Sequence, residues 1–207
     1  MELFITYLEL LGTVSFAVSG AATAIKKKMD IFGVCILGVT TAVGGGIIRD
    51  LMLGITPPTA LVNPIYIIAA AVASVIVFLP IVRTFFEHVP RAYELTMLLS
   101  DSAGLGIFTV CGVEVARSTG YFENPLLVVF VAVVTGVGGG VLRDVFAGDR
   151  PYIFVKHIYA CAAILGAVVC NCMWESPGRS AGMLAGFLTI AAIRLCAAHY
   201  RWNLPRS

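Results

Sequence analysis

Residues 41–58 read TAVGGGIIRDLMLGITPP, and residues 135–152 read TGVGGGVLRDVFAGDRPY. Shifted by 94 residues, the two stretches agree at nine of 17 positions from 41 to 57. Thr41, Val43, Gly44, Gly45, Gly46, Arg49, Asp50, Gly54 and Pro57 fall on Thr135, Val137, Gly138, Gly139, Gly140, Arg143, Asp144, Gly148 and Pro151. The same shift sets Gly12 on Gly106, and Ala69, Ala73 and Val75 on Ala163, Ala167 and Val169. Coincidence does not explain agreement on this scale; the chain contains an internal repeat.

The sequence around the repeat is strongly apolar. Of 207 residues 59% are hydrophobic and 13% charged, with a mean hydropathy of +0.94. Soluble domains run near 45–50% apolar and about 25% charged, so a water-soluble globule is excluded. A net charge of +2 without a basic stripe gives no footprint for a nucleic-acid partner. A spanning helix needs roughly 20 apolar residues. Breaking the hydropathy at charge, Gly and Pro predicts seven spans near 3–25, 31–53, 64–82, 93–115, 124–146, 154–173 and 180–200. The chain thus reads as an all-α membrane protein forming a single membrane domain over 1–207. Repeat one covers about 1–92, repeat two about 93–173, and an extra helix about 180–200.

Each repeat holds an odd number of spans, so the second must enter the membrane from the opposite side. Spans 1–3 and 4–6 are therefore predicted to be inverted repeats about a pseudo-two-fold axis in the membrane plane, with the seventh helix outside them. With seven crossings, Lys26, Lys27, Lys28, Arg83, Arg91, Arg143, Arg150, Lys156, Arg194, Arg201 and Arg206 share one side, against Arg49, Arg117 and Arg179 on the other. The positive-inside rule then sets the N-terminus outside and the C-terminus in the cytoplasm. Glu2 and Glu9 at the start, with no basic residue before the apolar run, argue against a cleaved signal peptide.

Glycine in a helix interior costs about 1 kcal/mol relative to alanine, so Gly44–Gly46 and Gly138–Gly140 weaken spans 2 and 5. Small residues also let membrane helices approach closely. Recurrence at equivalent places, each followed by Arg-Asp, favours a break: kinked helices lining a wet path, the freed carbonyls capped by Thr41 and Thr135 or sharing a cation with them. Residues one apart do not face each other on a helix, so Arg49 and Arg143 are predicted to pair away from Asp50 and Asp144. Inversion puts the two arginines at opposite ends of the membrane. Intramembrane ionisable groups are functional hypotheses by default, and the nearest partners are Glu9 for Arg49 and Asp101 for Arg143. The two clusters would end a path between spans 1, 2, 4 and 5, with Asp101 as an ion ligand.

The remaining features are structural. Six cysteines lie mostly in apolar runs without zinc-site spacing, and three histidines share no metal spacing. Gly178, Gly182 and Gly186 suit tight packing of span 7 inside the protomer. Trp174, Trp202, Tyr66 and Tyr152 suit an aromatic belt. There is no nucleophile–base pair, metal cluster or phosphate loop, so the sequence gives no reason to expect an enzyme, a bound metal or a cofactor.

Seven spans, two inverted three-helix units and GGG-x-x-R-D in both spans 2 and 5 resemble the prokaryotic branch of the TRIC family, the trimeric intracellular cation channels. The resemblance covers essentially the whole chain. It implies a homotrimer in the cytoplasmic membrane of a bacterium or archaeon. Each protomer would carry its own pore for monovalent cations, chiefly potassium with sodium as the other permeant ion, around Gly44–Gly46 and Gly138–Gly140. Arg49, Asp50, Arg143 and Asp144 match the charged end of the prokaryotic motif. Animal members carry a Lys-Glu-Val string and bind phosphoinositide; this chain has TGVGGG there, leaving some other membrane lipid at the trimer interface. The runner-up is a secondary transporter for a small zwitterion such as glycine, the label often given to related bacterial sequences, since inverted repeats with broken helices are also a transporter signature. A structural membrane protein without permeation is the third class.

Overall fold

The computed structural model describes residues 2–155, 158–176, 178–200 and 202, and among them there are helices and connecting turns but no strand. In chain order the helices are α1 (Glu2–Lys26), α2 (Ile31–Met52), α3 (Thr59–Val62), α4 (Ile65–Phe78), α5 (Pro80–His88) and α6 (Pro90–Ala116). A π-helical turn, Arg117–Tyr121, leads to α7 (Pro125–Phe146), α8 (Tyr152–Val155), α9 (Ala160–Cys172) and α10 (Arg179–His199). Lys156, His157, Arg201 and Arg206, used above for topology, lie outside the described residues.

Among the described residues five helical segments are long and apolar enough to cross a membrane: α1, α2, α6 with its π turn, α7 and α10. Two further apolar helices, α4 and α9, are shorter. They correct the predicted third and sixth spans. Within the run 64–82 helix α4 ends at Phe78, because Pro80 lacks the N–H a continuing helix would use and starts α5 instead. The run 154–173 contains only α9 as a long element, with α8 a separate turn.

Local chemistry starts and stops the repeated helices in the same way. Asp30 caps α2 by accepting from the Gly33 N–H (2.7 Å), and Asn124 caps α7 by accepting from the Leu127 N–H (3.1 Å). At the other end the chain turns through left-handed Gly54 (φ 74°) and Gly148 (φ 72°), where a side chain would be strained. The Ile55 and Asp149 N–H groups then donate to the carbonyls of Asp50 and Asp144 at 2.8 Å each.

Large apolar residues such as Ile81, Leu126 and Phe154 cover the outside, while the largest completely buried side chain is Arg143. That distribution suits a lipid solvent, in which an exposed leucine costs nothing and a charge must be enclosed. α6 is buried along most of its length, from Met97 to Ala116. Phe16 of α1 stacks on Phe108 of α6, centroids 5.3 Å apart, at the middle of the bundle.

The glycine triplets correct the expected break. α2 and α7 are helical without interruption through Gly44–Gly46 and Gly138–Gly140. What the triplets make is a crossing. A methyl at Gly45 would strike the Thr135 carbonyl oxygen, and one at Gly139 would strike the Thr41 carbonyl oxygen. A methyl at Gly138 would lie 3.1 Å from the Gly45 Cα. The missing Cβ is replaced by hydrogen, so each glycine points a Cα–H at a carbonyl of the opposite helix, a weak bond typical of close helix pairs.

The equivalence also needs a change of register outside the motif. A methyl at Gly12 would meet Ile107 and Phe108, and one at Gly104 would meet Phe16. A methyl at Gly20 would meet the Thr41 hydroxyl, and one at Gly112 the Thr135 hydroxyl. Gly12, Phe16 and Gly20 therefore correspond to Gly104, Phe108 and Gly112, a shift of 92. Gly106, matched to Gly12 by the 94-residue shift, instead makes room for Phe187 of α10. Two more residues separate Gly112 from Thr135 than separate Gly20 from Thr41, in the connection that holds the π turn. In α10, Gly182 and Gly186 face Cys170 of α9, so the small-residue stripe packs within the protomer.

Gly45→Ala and Gly139→Ala each place a methyl against backbone that cannot move aside, and each is expected to cost about 1–3 kcal/mol. Gly46→Ala would have only the Arg49 Nη2 near it, at 3.9 Å, and is expected to keep or raise stability. Thermal unfolding of the three variants in detergent checks this; equal midpoints would contradict the crossing.

Candidate functional site

Three residues past each triplet, an arginine sits one turn beyond the crossing, and the third glycine leaves space beside it. A methyl at Gly46 would approach Arg49 Nη2 at 3.9 Å; one at Gly140 would approach Arg143 Nη2 at 3.7 Å and the Tyr159 hydroxyl at 2.8 Å. A methyl would fit beside either guanidinium; only at position 140 is glycine required, to clear the Tyr159 hydroxyl.

The first cluster joins α1, α2 and α4. Arg49 donates from Nε to Asp50 Oδ1 at 2.8 Å and from Nη1 to Glu9 Oε1 at 3.5 Å. The Tyr66 hydroxyl donates to the other Glu9 oxygen at 2.7 Å, and the Thr59 N–H to Asp50 Oδ2 at 2.7 Å. A small cavity of about 30 Å³, lined by Thr13, Gly46 and Phe108 as well as these groups, has room for about one water.

The second cluster repeats the plan on α6, α7 and Tyr159, the residue that leads into α9, with additions. Arg143 donates from Nε to Asp144 Oδ1 at 2.8 Å and from Nη1 to Asp101 Oδ1 at 2.6 Å. The Tyr159 hydroxyl donates to Asp101 at 3.2 Å, and the Tyr152 N–H to Asp144 Oδ2 at 2.8 Å. Ser19 of α1 accepts from Arg143 as well. Arg194 of α10 donates to Asp101 Oδ2 at 3.4 Å and lies over the Tyr159 ring, 4.7 Å from its centroid. Asp101 and Arg194 face a much larger cavity, about 540 Å³, whose walls include Lys26, Arg91, Glu94 and Met97.

Several sequence expectations change here. Arg49 meets Glu9 and Arg143 meets Asp101, but each arginine also bonds the aspartate next to it in sequence. A guanidinium is long enough to turn its Nε back while Nη1 reaches forward, which a rule about facing helix surfaces does not capture. The Thr41 and Thr135 hydroxyls donate to the carbonyls of Leu37 and Val131 one turn back, at 2.6 and 2.7 Å, so they cap no freed carbonyl. Asp101 is held by Arg143, Tyr159 and Arg194 rather than left free for an ion. Tyr66 is buried on Glu9 and Tyr152 lies against Arg143 at 5.0 Å, so neither serves only as a belt residue.

Tyr159, Ser19 and Arg194 were not legible as site residues. Tyr159 follows Tyr66 by 93 residues, a shift that neither motif sets, and Arg194 reads as part of a basic tail. The signal available for Arg194 was its place inside the apolar run of the last span.

Long apolar helices with lipid-facing hydrophobics and enclosed guanidinium–carboxylate clusters define an all-helical integral membrane protein. A family model described as glycine transporter matches residues 6–80 and 98–175. The membrane protein YvgT of Bacillus subtilis is 37% identical over 96% of this chain and 94% of its own, and the inner membrane protein YadS of Escherichia coli is 37% identical over 98% and 96%. Among solved structures, a TRIC cation channel superposes with a TM-score of 0.85 at 38% identity, over 98% of this chain and 96% of that one. The TRIC trimeric intracellular cation channel orthologue from Rhodobacter sphaeroides gives 0.87 at 35%, covering 96% and 99%, and a prokaryotic TRIC channel in 0.5 M KCl gives 0.89 at 33%, covering 99% and 100%. The chain belongs to the TRIC family.

The two clusters differ in enclosure. The Asp101 and Arg143 side chains are 1% and 0% exposed, whereas Glu9 is 14% exposed. Arg143→Gln is expected to cost about 3–5 kcal/mol by removing the guanidinium shared by two buried carboxylates, and Arg49→Gln less. Double-mutant cycles of Arg143 with Asp101 and of Arg49 with Glu9, read by denaturation in detergent, check the order; a coupling as large for the Arg49 pair would contradict it.

Proposed function

We propose that this protein is a monovalent cation channel, preferring potassium, with one conduction path in each protomer of a homotrimer in a bacterial or archaeal cytoplasmic membrane. The observation that carries the reading is the pair of enclosed arginine–carboxylate clusters, each beside a cavity, with the α2/α7 crossing between their arginines. The printed descriptions of the solved relatives, as trimeric and as cation channels, support it.

In this reading α1, α2, α4, α6, α7, α9 and α10 are the seven crossings, and α1–α4 and α6–α9 are inverted repeats. The N-terminus lies outside and the C-terminus in the cytoplasm. The Glu9/Arg49 cavity then opens toward the outside, and the Asp101/Arg143 cavity toward the cytoplasm. Recurrence of the caps, turns and ion pairs in both halves supports the inversion.

Conduction requires sites strong enough to replace hydration and weak enough to release the ion. Glu9, Asp50, Asp101 and Asp144 provide the oxygens, and Arg49 and Arg143 occupy them in the arrangement described here. Such an arrangement is closed. Opening moves each guanidinium off its carboxylates, so that a potassium ion takes the vacated oxygens and passes the crossing beside Thr41, Thr135 and the stacked Phe16 and Phe108. The glycines hold the two backbones in direct contact, with Leu142 packed onto Gly44 and Phe16 beside Gly139. Membrane lipid surrounds the trimer and fills grooves between protomers.

The second reading, carriage of a small zwitterion such as glycine, is favoured by the description of the matching family model. Purified protein in liposomes separates the two. The channel reading expects potassium flux down its gradient, well above protein-free vesicles, that collapses when a membrane potential opposes it. Saturable glycine counterflow without potassium current would overturn it in favour of carriage.

A further inference from the structure

The two clusters are built alike except in one respect. Among the described residues Glu9 and Asp50 meet a single guanidinium, that of Arg49, which leaves one formal negative charge in excess. Asp101 and Asp144 meet two, those of Arg143 and Arg194, and are balanced. The second guanidinium comes from α10, the helix with no counterpart in the repeat.

Geometry divides the labour at Asp101. Oδ1 takes the short bonds, 2.6 Å from Arg143 Nη1 and 3.2 Å from the Tyr159 hydroxyl. Oδ2 has the long one, 3.4 Å to Arg194 Nη2. Asp101 and Arg194 both line the 540 Å³ cavity. The Tyr159 ring holds the Arg194 guanidinium by its face while its hydroxyl bonds the same carboxylate, so one tyrosine positions both charges.

We infer that Arg194 is a tethered counter-cation that competes with permeant cations for Asp101 and so gives the conduction path its electrical direction. The inference rests on the channel reading. A permeant ion approaching through the large cavity finds Oδ2 already neutralised, whereas one approaching Glu9 and Asp50 finds excess negative charge. The path therefore draws cations more readily at the Glu9 mouth than at the Asp101 mouth. Arg194 positions and neutralises Asp101; it does not itself ligate an ion. Arginine suits the task because it stays charged in a low-dielectric setting and stacks on an aromatic face.

The test is current recorded in excised patches of spheroplasts expressing the full-length protein, with KCl varied on the Asp101 side. Arg194→Gln is expected to raise current carried from that mouth by about threefold or more in dilute KCl, through the unmasked local charge. The gain shrinks in concentrated KCl, where the charge is screened. Arg194→Lys keeps the charge and is expected to keep the wild-type current ratio between the two polarities. Asp101→Asn leaves Arg194 uncompensated and is expected to lower current from the same mouth, again most in dilute salt. It also serves if Arg194→Gln fails to assemble. An unchanged polarity ratio in Arg194→Gln, or in Asp101→Asn, from patches that conduct would overturn the inference. Absence of cation current in the wild type would instead overturn the channel reading.

Discussion

Contact between two helix backbones at Gly45 and Gly139 sets the geometry of everything around it. No side chain stands between α2 and α7 there, because each missing Cβ would fall on a carbonyl of the other helix. Once the axes are pinned this closely, Arg49 and Arg143, each one turn farther along its own helix, are carried away from the contact to separate clusters. At Gly140 the missing Cβ leaves room for the Tyr159 hydroxyl that joins the second cluster. One short motif specifies both the crossing and the charge that follows it.

The charge in turn ties the periphery to the crossing. Each motif aspartate uses one oxygen for its neighbouring arginine and the other for a backbone N–H in the loop ahead, that of Thr59 or Tyr152. Each arginine reaches a carboxylate on the first helix of its half, and a tyrosine at the start of the third helix meets that carboxylate. Where these bonds are enclosed, leaving any partner unpaired is expensive. In the proposed channel the same enclosure makes rearrangement of a guanidinium a control on ion access. Each oxygen it releases becomes a strong site in a poorly screened region.

The doubled motif made most of this architecture readable from residues alone. Its density set the 94-residue shift and the family, while composition and hydropathy gave the helical membrane class, and the rarity of charge inside spans pointed to Glu9 and Asp101 as the partners of the two arginines. Close approach of a second helix is one of the two readings the glycines allow, but helix propensity treats three of them as a defect and their recurrence tips the balance wrongly toward a break. The 92-residue register of α1 and α6 rests on Gly12, Phe16 and Gly20 matching Gly104, Phe108 and Gly112, a thin signal in an apolar background that the denser motif outweighs. Arg194 escaped because charge near the end of a last span reads as a topology signal, and only tertiary packing brings it to Asp101.

The central claim is that the glycine crossing divides two cavities that open to opposite faces of the membrane. Cysteine accessibility in a variant whose six native cysteines are replaced measures this directly. Thr59→Cys reports the cavity of Glu9 and Arg49, and Met97→Cys that of Asp101 and Arg194. A membrane-impermeant thiol reagent is expected to label the first only from the outside and the second only from the cytoplasm. Labelling of both positions from one face would contradict the account.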